Sequence, residues 1–151
     1  MEKLSSCLCL TCMILLLTTV SSIAEIRVEG QGYVWARGNG SISVQGGTAI
    51  EITGSGLLKV NAGTVVDLLD SKGEKLATDS GEILYINFDG KAKVSGEDIA
   101  LEFSGANIVL NARGTGSVTL RGVGLYLVGV YLGSWQPFEK TIITFTAPPE
   151  L

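Results

Sequence analysis

Apolar and polar residues alternate along much of the chain, and the alternation repeats every eight residues from Glu29 to Leu68. Five successive units read EGQGYVWA, RGNGSISV, QGGTAIEI, TGSGLLKV and NAGTVVDL. They share the template x-G-x-G-x-Φ-x-Φ, in which glycine or another small residue usually fills the second and fourth places and an apolar residue fills the sixth and eighth. A period of two is typical of a half-buried strand, and glycine clusters typically mark strand ends. The repeat therefore predicts a series of short β-strands.

The apolar positions of the repeat all have even numbers, so we expect them to lie on one face of the sheet. A three-residue hairpin loop preserves this parity, whereas a two-residue loop reverses it at every turn. Three-residue loops would join each apolar pair to the next, for example Ala36 to Ile42. The predicted loop centres are Gln31, Asn39, Gly47, Ser55 and Gly63.

The predicted fold class is all-β, as an antiparallel meander of short strands with Gly-x-Gly turns that forms a sandwich or a barrel. A β-solenoid of stacked parallel strands is the alternative, because parity alone does not distinguish the two. The meander is favoured because the repeat lapses between Leu69 and Phe88, and a solenoid core tolerates such a lapse poorly.

Looser alternation returns after Phe88 and continues to Thr146. The runs FDGKAKVSG (Phe88–Gly96) and ALEFSGANIVLNARGTGSVTLRGVGLY (Ala100–Tyr126), followed by Trp135, resemble the C-terminal half of exported, glycine-rich all-β proteins of bacteria and archaea. The resemblance implies export and a β domain, and it supplies no functional residue.

The N-terminal segment differs in composition from the rest of the chain. Lys3 is followed by a 21-residue stretch without charge that contains all three cysteines. Small residues at Ser22 and Ala24 precede Glu25, as at a signal-peptide cleavage site. We therefore expect residues 1–24 to be a signal peptide, residues 25–146 an all-β domain and residues 147–151 a short tail. An uncleaved membrane anchor is the alternative. The expected location is secreted or at the cell envelope.

Composition excludes several chemistries. The chain has no histidine, and its formal net charge is −4. Ser-His-Asp and Cys-His catalysis are therefore excluded, and the usual zinc and copper sites lack their ligands. A nucleic-acid partner is not expected, because phosphate binding requires clustered Lys and Arg. We predict no cofactor and no metal.

Carboxylates are the remaining catalytic candidates, because two of them at the right separation can hydrolyse a glycosidic bond. The candidates are Glu51, Asp67, Asp89, Glu97, Asp98 and Glu102. A dense acidic stretch could alternatively hold calcium, although its spacing differs from an EF-hand loop and lysines interrupt it. It comprises Asp67, Asp70, Glu74 and Asp79.

An aromatic pair and a glycosylation motif are the remaining candidate sites. Tyr33 and Trp35 have odd numbers, so they project away from the predicted core and are candidates for stacking on sugars or anchoring a partner. Trp135, Phe138 or the last strand would alternatively cover them. Asn39-Gly40-Ser41 is a glycosylation acceptor at a predicted hairpin tip.

These features predict a non-catalytic exported domain that acts by surface binding of a cell-surface glycan or an envelope protein. One alternative is a self-assembling structural or adhesive envelope protein, because exposed sheet edges add strands readily. The second alternative is a carboxylate-dependent glycoside hydrolase.

Overall fold

The computed structural model of this protein describes residues 23–47 and 49–150. Within those residues it contains strands and no helix. The all-β class predicted from the alternation is confirmed. The predicted signal peptide lies outside the described residues, apart from its last two positions. The strands are β1 (Ala24–Gln31), β2 (Tyr33–Gly46), β3 (Ala49–Val60), β4 (Val65–Ala77), β5 (Ile83–Ser95), β6 (Ala100–Arg113), β7 (Gly116–Val128), β8 (Tyr131–Trp135) and β9 (Glu139–Thr146).

The strands form one open sheet in the order β1-β9-β7-β2-β6-β3-β5-β4, and β8 also pairs with β7. Neighbouring strands are antiparallel except β1 and β9, which run parallel. The antiparallel pairing agrees with the prediction, and the stacked parallel strands of a solenoid are not observed. Only β4 with β5 and β7 with β8 pair strands that are consecutive in sequence, so the strand order is more interleaved than consecutive hairpins would give.

The even-numbered apolar residues of β2 and β3 form the core, as their parity predicts. All of them are buried, with exposed fractions of 2% or less: Val34, Ala36, Ile42, Val44, Ile50, Ile52, Leu58 and Val60. We call the side of the sheet that bears them the inner face and the opposite side the outer face. Leu68 has the same parity but is 40% exposed. Its strand, β4, has a neighbour on one side only, so nothing covers Leu68 from beyond the edge.

None of the five predicted loops forms a hairpin, because β1 does not pair with β2, β2 with β3, or β3 with β4. Asn39 lies within β2 and Ser55 within β3, so each of these strands contains two units of the eight-residue repeat. The chain does turn near the other three centres, at Gly32, at Gly47 and between β3 and β4. The predicted pairing of Ala36 with Ile42 is also wrong, because both residues belong to β2.

Close approach between strands, rather than a turn, explains the glycine at Gly40. Gly40 lies opposite Gly122 on β7 and opposite Gly105 on β6. A Cβ atom at Gly40 would lie 2.1 Å from the backbone oxygen of Arg121, and the φ angle of Gly40 is +136°. Glycine alone accommodates both the contact and the backbone angle.

The glycines continue across the sheet as a band formed by Gly122, Gly40, Gly105 and Gly56 on four neighbouring strands, β7, β2, β6 and β3. Each of these strands has buried residues on both sides of the band. The pairing register also shifts beside it, between Gly38 and Gly40 in β2. Because bulges and glycines allow strands to bend and coil strongly, we infer that the sheet curves here.

Curvature is required because the inner face has no separate cover. The described residues form a single sheet without a helix, yet large inner side chains such as Phe103, Phe88 and Phe145 are at most 1% exposed. The sheet must therefore curve over its own inner face. The Phe88 and Phe103 rings meet edge to face, with centroids 5.9 Å apart. Trp135 lies over Gly124, where a Cβ atom would be 2.0 Å from its Nε1.

We predict that Gly40→Ala lowers the free energy of unfolding by about 1–3 kcal/mol more than Gly63→Ala does, as forced overpacking typically costs. Gly63 is the matched control, because it also has a positive φ but no atom lies within 4 Å of its Cβ position. Urea denaturation followed by fluorescence measures both variants. Equal losses would show that the band is not sterically required.

Candidate functional site

The outer face contains a groove of about 720 Å³ over strands β6, β3, β5 and β4. Each of these four strands contributes at least one polar residue to the lining of the groove. These residues include Arg113, Asn111, Glu51, Lys93, Ser95 and Asp67. A volume of this size lies within the range of small-ligand sites in proteins.

One register row crosses this groove from β2 to β4. Trp35 pairs with Asn111, Asn111 with Glu51, Glu51 with Lys93, and Lys93 with Asp67. Paired residues project from the same face of a sheet, and neighbouring strands lie about 4.8 Å apart. The row, which we call the polar row, therefore extends roughly 19 Å from the indole to the Asp67 position.

A second row runs beside the first and begins at the other aromatic residue. Tyr33 pairs with Arg113, and Arg113 with Ala49. Ala49 pairs with Ser95, and Ser95 with Val65 at the β4 edge. The aromatic pair Tyr33 and Trp35 thus lies on β2, the strand next to the groove, and both side chains are on the outer face as their parity predicts.

The proposed covers of the aromatic pair do not lie over it. Trp135 is buried on the inner face, and Phe138 is 91% exposed in the loop between β8 and β9. The last strand, β9, pairs with β7 and β1 rather than crossing the outer face. Tyr33 is 44% exposed and Trp35 is half-buried, so both present surface to solvent.

On the side away from the groove, the aromatic pair adjoins an apolar surface. Trp35 pairs with Leu127, and Leu127 with Leu132 on β8. Leu132 is 63% exposed and Leu125, one row away, is 50% exposed. The outer face therefore changes from apolar to polar across β2, with Trp35 at the boundary.

Among the described residues, one cation that lines the groove, Lys93, has no ion-pair partner. Glu51 forms an ion pair with Lys91, with 2.6 Å between the carboxylate oxygen and Nζ. Lys93 lies between Glu51 and Asp67 in the polar row, yet within the described part of the chain it forms no ion pair. Its ammonium group faces solvent and is available to a ligand oxygen.

The six candidate carboxylates do not converge. Glu51 and Asp67 line the groove, two strands apart. Asp89 accepts a hydrogen bond from Ser55 at 2.8 Å, and Glu102 lies 4.0 Å from the Lys59 ammonium in a separate cleft of about 70 Å³. Glu97 and Asp98 lie in the β5–β6 connection.

The side chains of the acidic stretch considered for calcium binding do not come together at one point either. Asp67, Asp70 and Glu74 are distributed along β4, and Asp79 follows in the turn before β5. Between residues 23 and 47 and between 49 and 150, no group of three or more acidic, cysteine or histidine side chains could hold a metal ion.

The position predicted for Asn39 is wrong, because Asn39 lies in the middle of β2 rather than at a hairpin tip. Its Oδ1 accepts a hydrogen bond from the backbone N–H of Asn107 at 2.7 Å. Asn107 has a positive φ of 53°, so Asn39 satisfies a donor where β6 is irregular. Glycosylation of Asn39 remains a prediction.

Sequence reasoning missed Asn111, Lys93 and Arg113 as members of a site. They lie on β6 and β5, far along the chain from the aromatic pair, and only the strand order brings them beside it. The available signal was parity: in the strands after Phe88, polar residues alternate with apolar ones and so share one face.

Comparison with models of protein families, with curated proteins and with solved structures finds no match for this chain. Among the described residues, no helix has the length and apolar character needed to cross a membrane.

Proposed function

We propose that this protein is an exported, non-catalytic domain of the cell envelope or extracellular space that binds a glycan in the outer-face groove. The observation that supports the proposal is the register of Trp35 with the polar row, and of Tyr33 with a second row containing Arg113 and Ser95, both of which line a 720 Å³ groove. Export is supported by the N-terminal segment of the sequence and remains part of the proposal.

The chemistry of the groove suits a sugar. A sugar ring has an apolar C–H face that stacks on aromatic rings and a rim of hydroxyl groups that requires donors and acceptors. Tyr33 and Trp35 offer the aromatic faces, the amide of Asn111 both donates and accepts, and the carboxylates of Glu51 and Asp67 accept. The roughly 19 Å length of the polar row suits a chain of several sugar units better than a single one.

We predict that Trp35→Ala weakens binding to the recognised polysaccharide at least about tenfold, because truncation of a central aromatic residue typically costs ~2 kcal/mol or more. The full protein recovered after export is tested on immobilised cell-wall material and purified polysaccharides, with affinities measured by calorimetry. Tyr33→Ala should weaken binding less, because Tyr33 is the first residue of β2 and pairs with β6 alone, whereas Trp35 pairs with both β6 and β7.

Phe138→Ala is the matched control for the tryptophan variant. Phe138 is an exposed aromatic residue outside the groove, so its removal should leave affinity unchanged. Undiminished binding by Trp35→Ala, or equal losses in both variants, would contradict an aromatic platform on β2.

Lys93 allows a second prediction about the kind of sugar. Because its ammonium group lacks an ion-pair partner, Lys93→Gln should weaken binding of uronate-containing polysaccharides several-fold and leave neutral ones nearly unchanged. The uronate affinity of the unaltered protein should also fall as salt is raised. Comparison of both ligand classes at two salt concentrations measures this effect, and equal losses for both classes would assign Lys93 a structural role.

The hydrolase alternative has one observation in its favour, since Glu51 and Asp67 both line the groove. We expect the unaltered protein to bind polysaccharide without releasing reducing ends during long incubation. The double variant Glu51→Gln/Asp67→Asn serves as the reference. Reducing ends released by the unaltered protein and abolished in the double variant would establish hydrolysis instead.

A further inference from the structure

The two ends of the open sheet are strands with one free edge each, β1 and β4. β1 pairs with β9 over eight consecutive positions without a register shift. The first part of β4, Val65–Leu69, pairs with β5 equally regularly, and shifts begin only after Leu69. Natural sheets usually protect such edges with bulges or charges. Here both edges include a regular segment with unpaired backbone groups.

At both edges the apolar inner face ends without cover. Ile26 and Val28 on β1 are in register with the buried residues Thr141 and Ile143. On β4, Val66 and Leu68 are in register with buried Val94 and Ala92. Ile26 is nevertheless 37% exposed and Leu68 is 40% exposed. The core therefore continues to each edge, where residues 23–47 and 49–150 supply no further strand.

The strand directions allow one edge to complete the other. Following the pairings across the sheet, β1 and β4 run in the same direction. If β1 of a second copy lies beside β4 with the inner faces on the same side, the two strands therefore pair in parallel, and the inner face continues from one edge strand to the other.

The sequences of the two edges are complementary in this arrangement. Ile26 aligns with Val66 and Val28 with Leu68 on the inner face. Arg27 then aligns with Asp67 on the outer face, because alternation places both there. On the inner face apolar residues thus meet apolar residues. On the outer face Arg27, which also forms an ion pair with Glu25 of its own strand, meets the anion Asp67, while Glu25 and Glu29 align with Val65 and Leu69.

We propose that β1 of a second copy of this chain adds to β4 in parallel, so that copies join head to tail into an extended sheet. A head-to-tail contact of this kind does not close after two copies and grows into a filament. The proposal is independent of glycan binding. The same pairing within one chain would instead close the sheet on itself, and the experiments distinguish the two.

Charge reversal tests the register. The unaltered protein should form oligomers that grow with concentration in sedimentation velocity. Arg27→Asp or Asp67→Arg alone should raise the apparent dissociation constant about tenfold, because each places like charges opposite each other in the pairing. The double variant Arg27→Asp/Asp67→Arg should recover most of this loss, whereas Arg121→Asp, an exposed charge on the interior strand β7, should have no effect. Circular dichroism verifies that each variant is folded.

Cysteine pairing tests which chain supplies the partner strand. The variant contains Arg27→Cys and Asp67→Cys, with Cys7, Cys9 and Cys12 changed to serine. Neighbouring strands lie about 4.8 Å apart, within the range a disulfide spans. We expect a ladder of disulfide-linked oligomers on a non-reducing gel. A disulfide confined to monomers would show closure within one chain and overturn the proposal, as would free thiols or an unaltered protein that stays monomeric at high concentration.

Discussion

The close contact of glycine backbones across four neighbouring strands is the constraint on which the rest of this structure depends. Gly40 approaches the carbonyl oxygen of Arg121 so closely that no side chain fits between them. This packing lets the sheet curve, and curvature is the only means by which one sheet buries its own apolar side.

The sequence was sufficient to predict which residues would be buried, because alternation of period two requires no knowledge of strand partners. Ile50 and Leu58 share a face of β3 for that reason, and Ile42 on β2 joins them because the connection between the two strands preserves parity. It was insufficient to predict where strands end. Glycines at Gly40 and Gly56 resemble turn residues in isolation, and their role depends on Gly122 and Gly105, far along the chain. Local propensity favoured a turn, and tertiary pairing determined a continuous strand.

In the candidate site, too, the sequence predicted the direction of side chains but not which strands are neighbours. The outward direction of Tyr33 and Trp35 followed from parity and required no structure. Their neighbours Asn111 and Lys93 could not be inferred, since the strand order that places β6 beside β2 and β5 beside β3 is not encoded in any local pattern. Asn39 illustrates the opposite error. A favourable turn dipeptide suggested a loop tip, whereas its side chain satisfies a backbone donor of the adjacent strand.

The interleaved strand order also affects how the chain reaches its native state. β2 is among the first strands to be synthesised, yet its partners β6 and β7 are synthesised much later. β1 can pair only after β9, the last strand, has been made. Contacts this distant in sequence slow folding, because loop-closure entropy is lost before pairing compensates for it. The early strands consequently remain without native partners until nearly the whole chain is available. Such a delay lengthens the interval in which the early strands require protection from aggregation. If the protein is exported as we propose, the same delay would keep the chain unfolded for passage across the membrane.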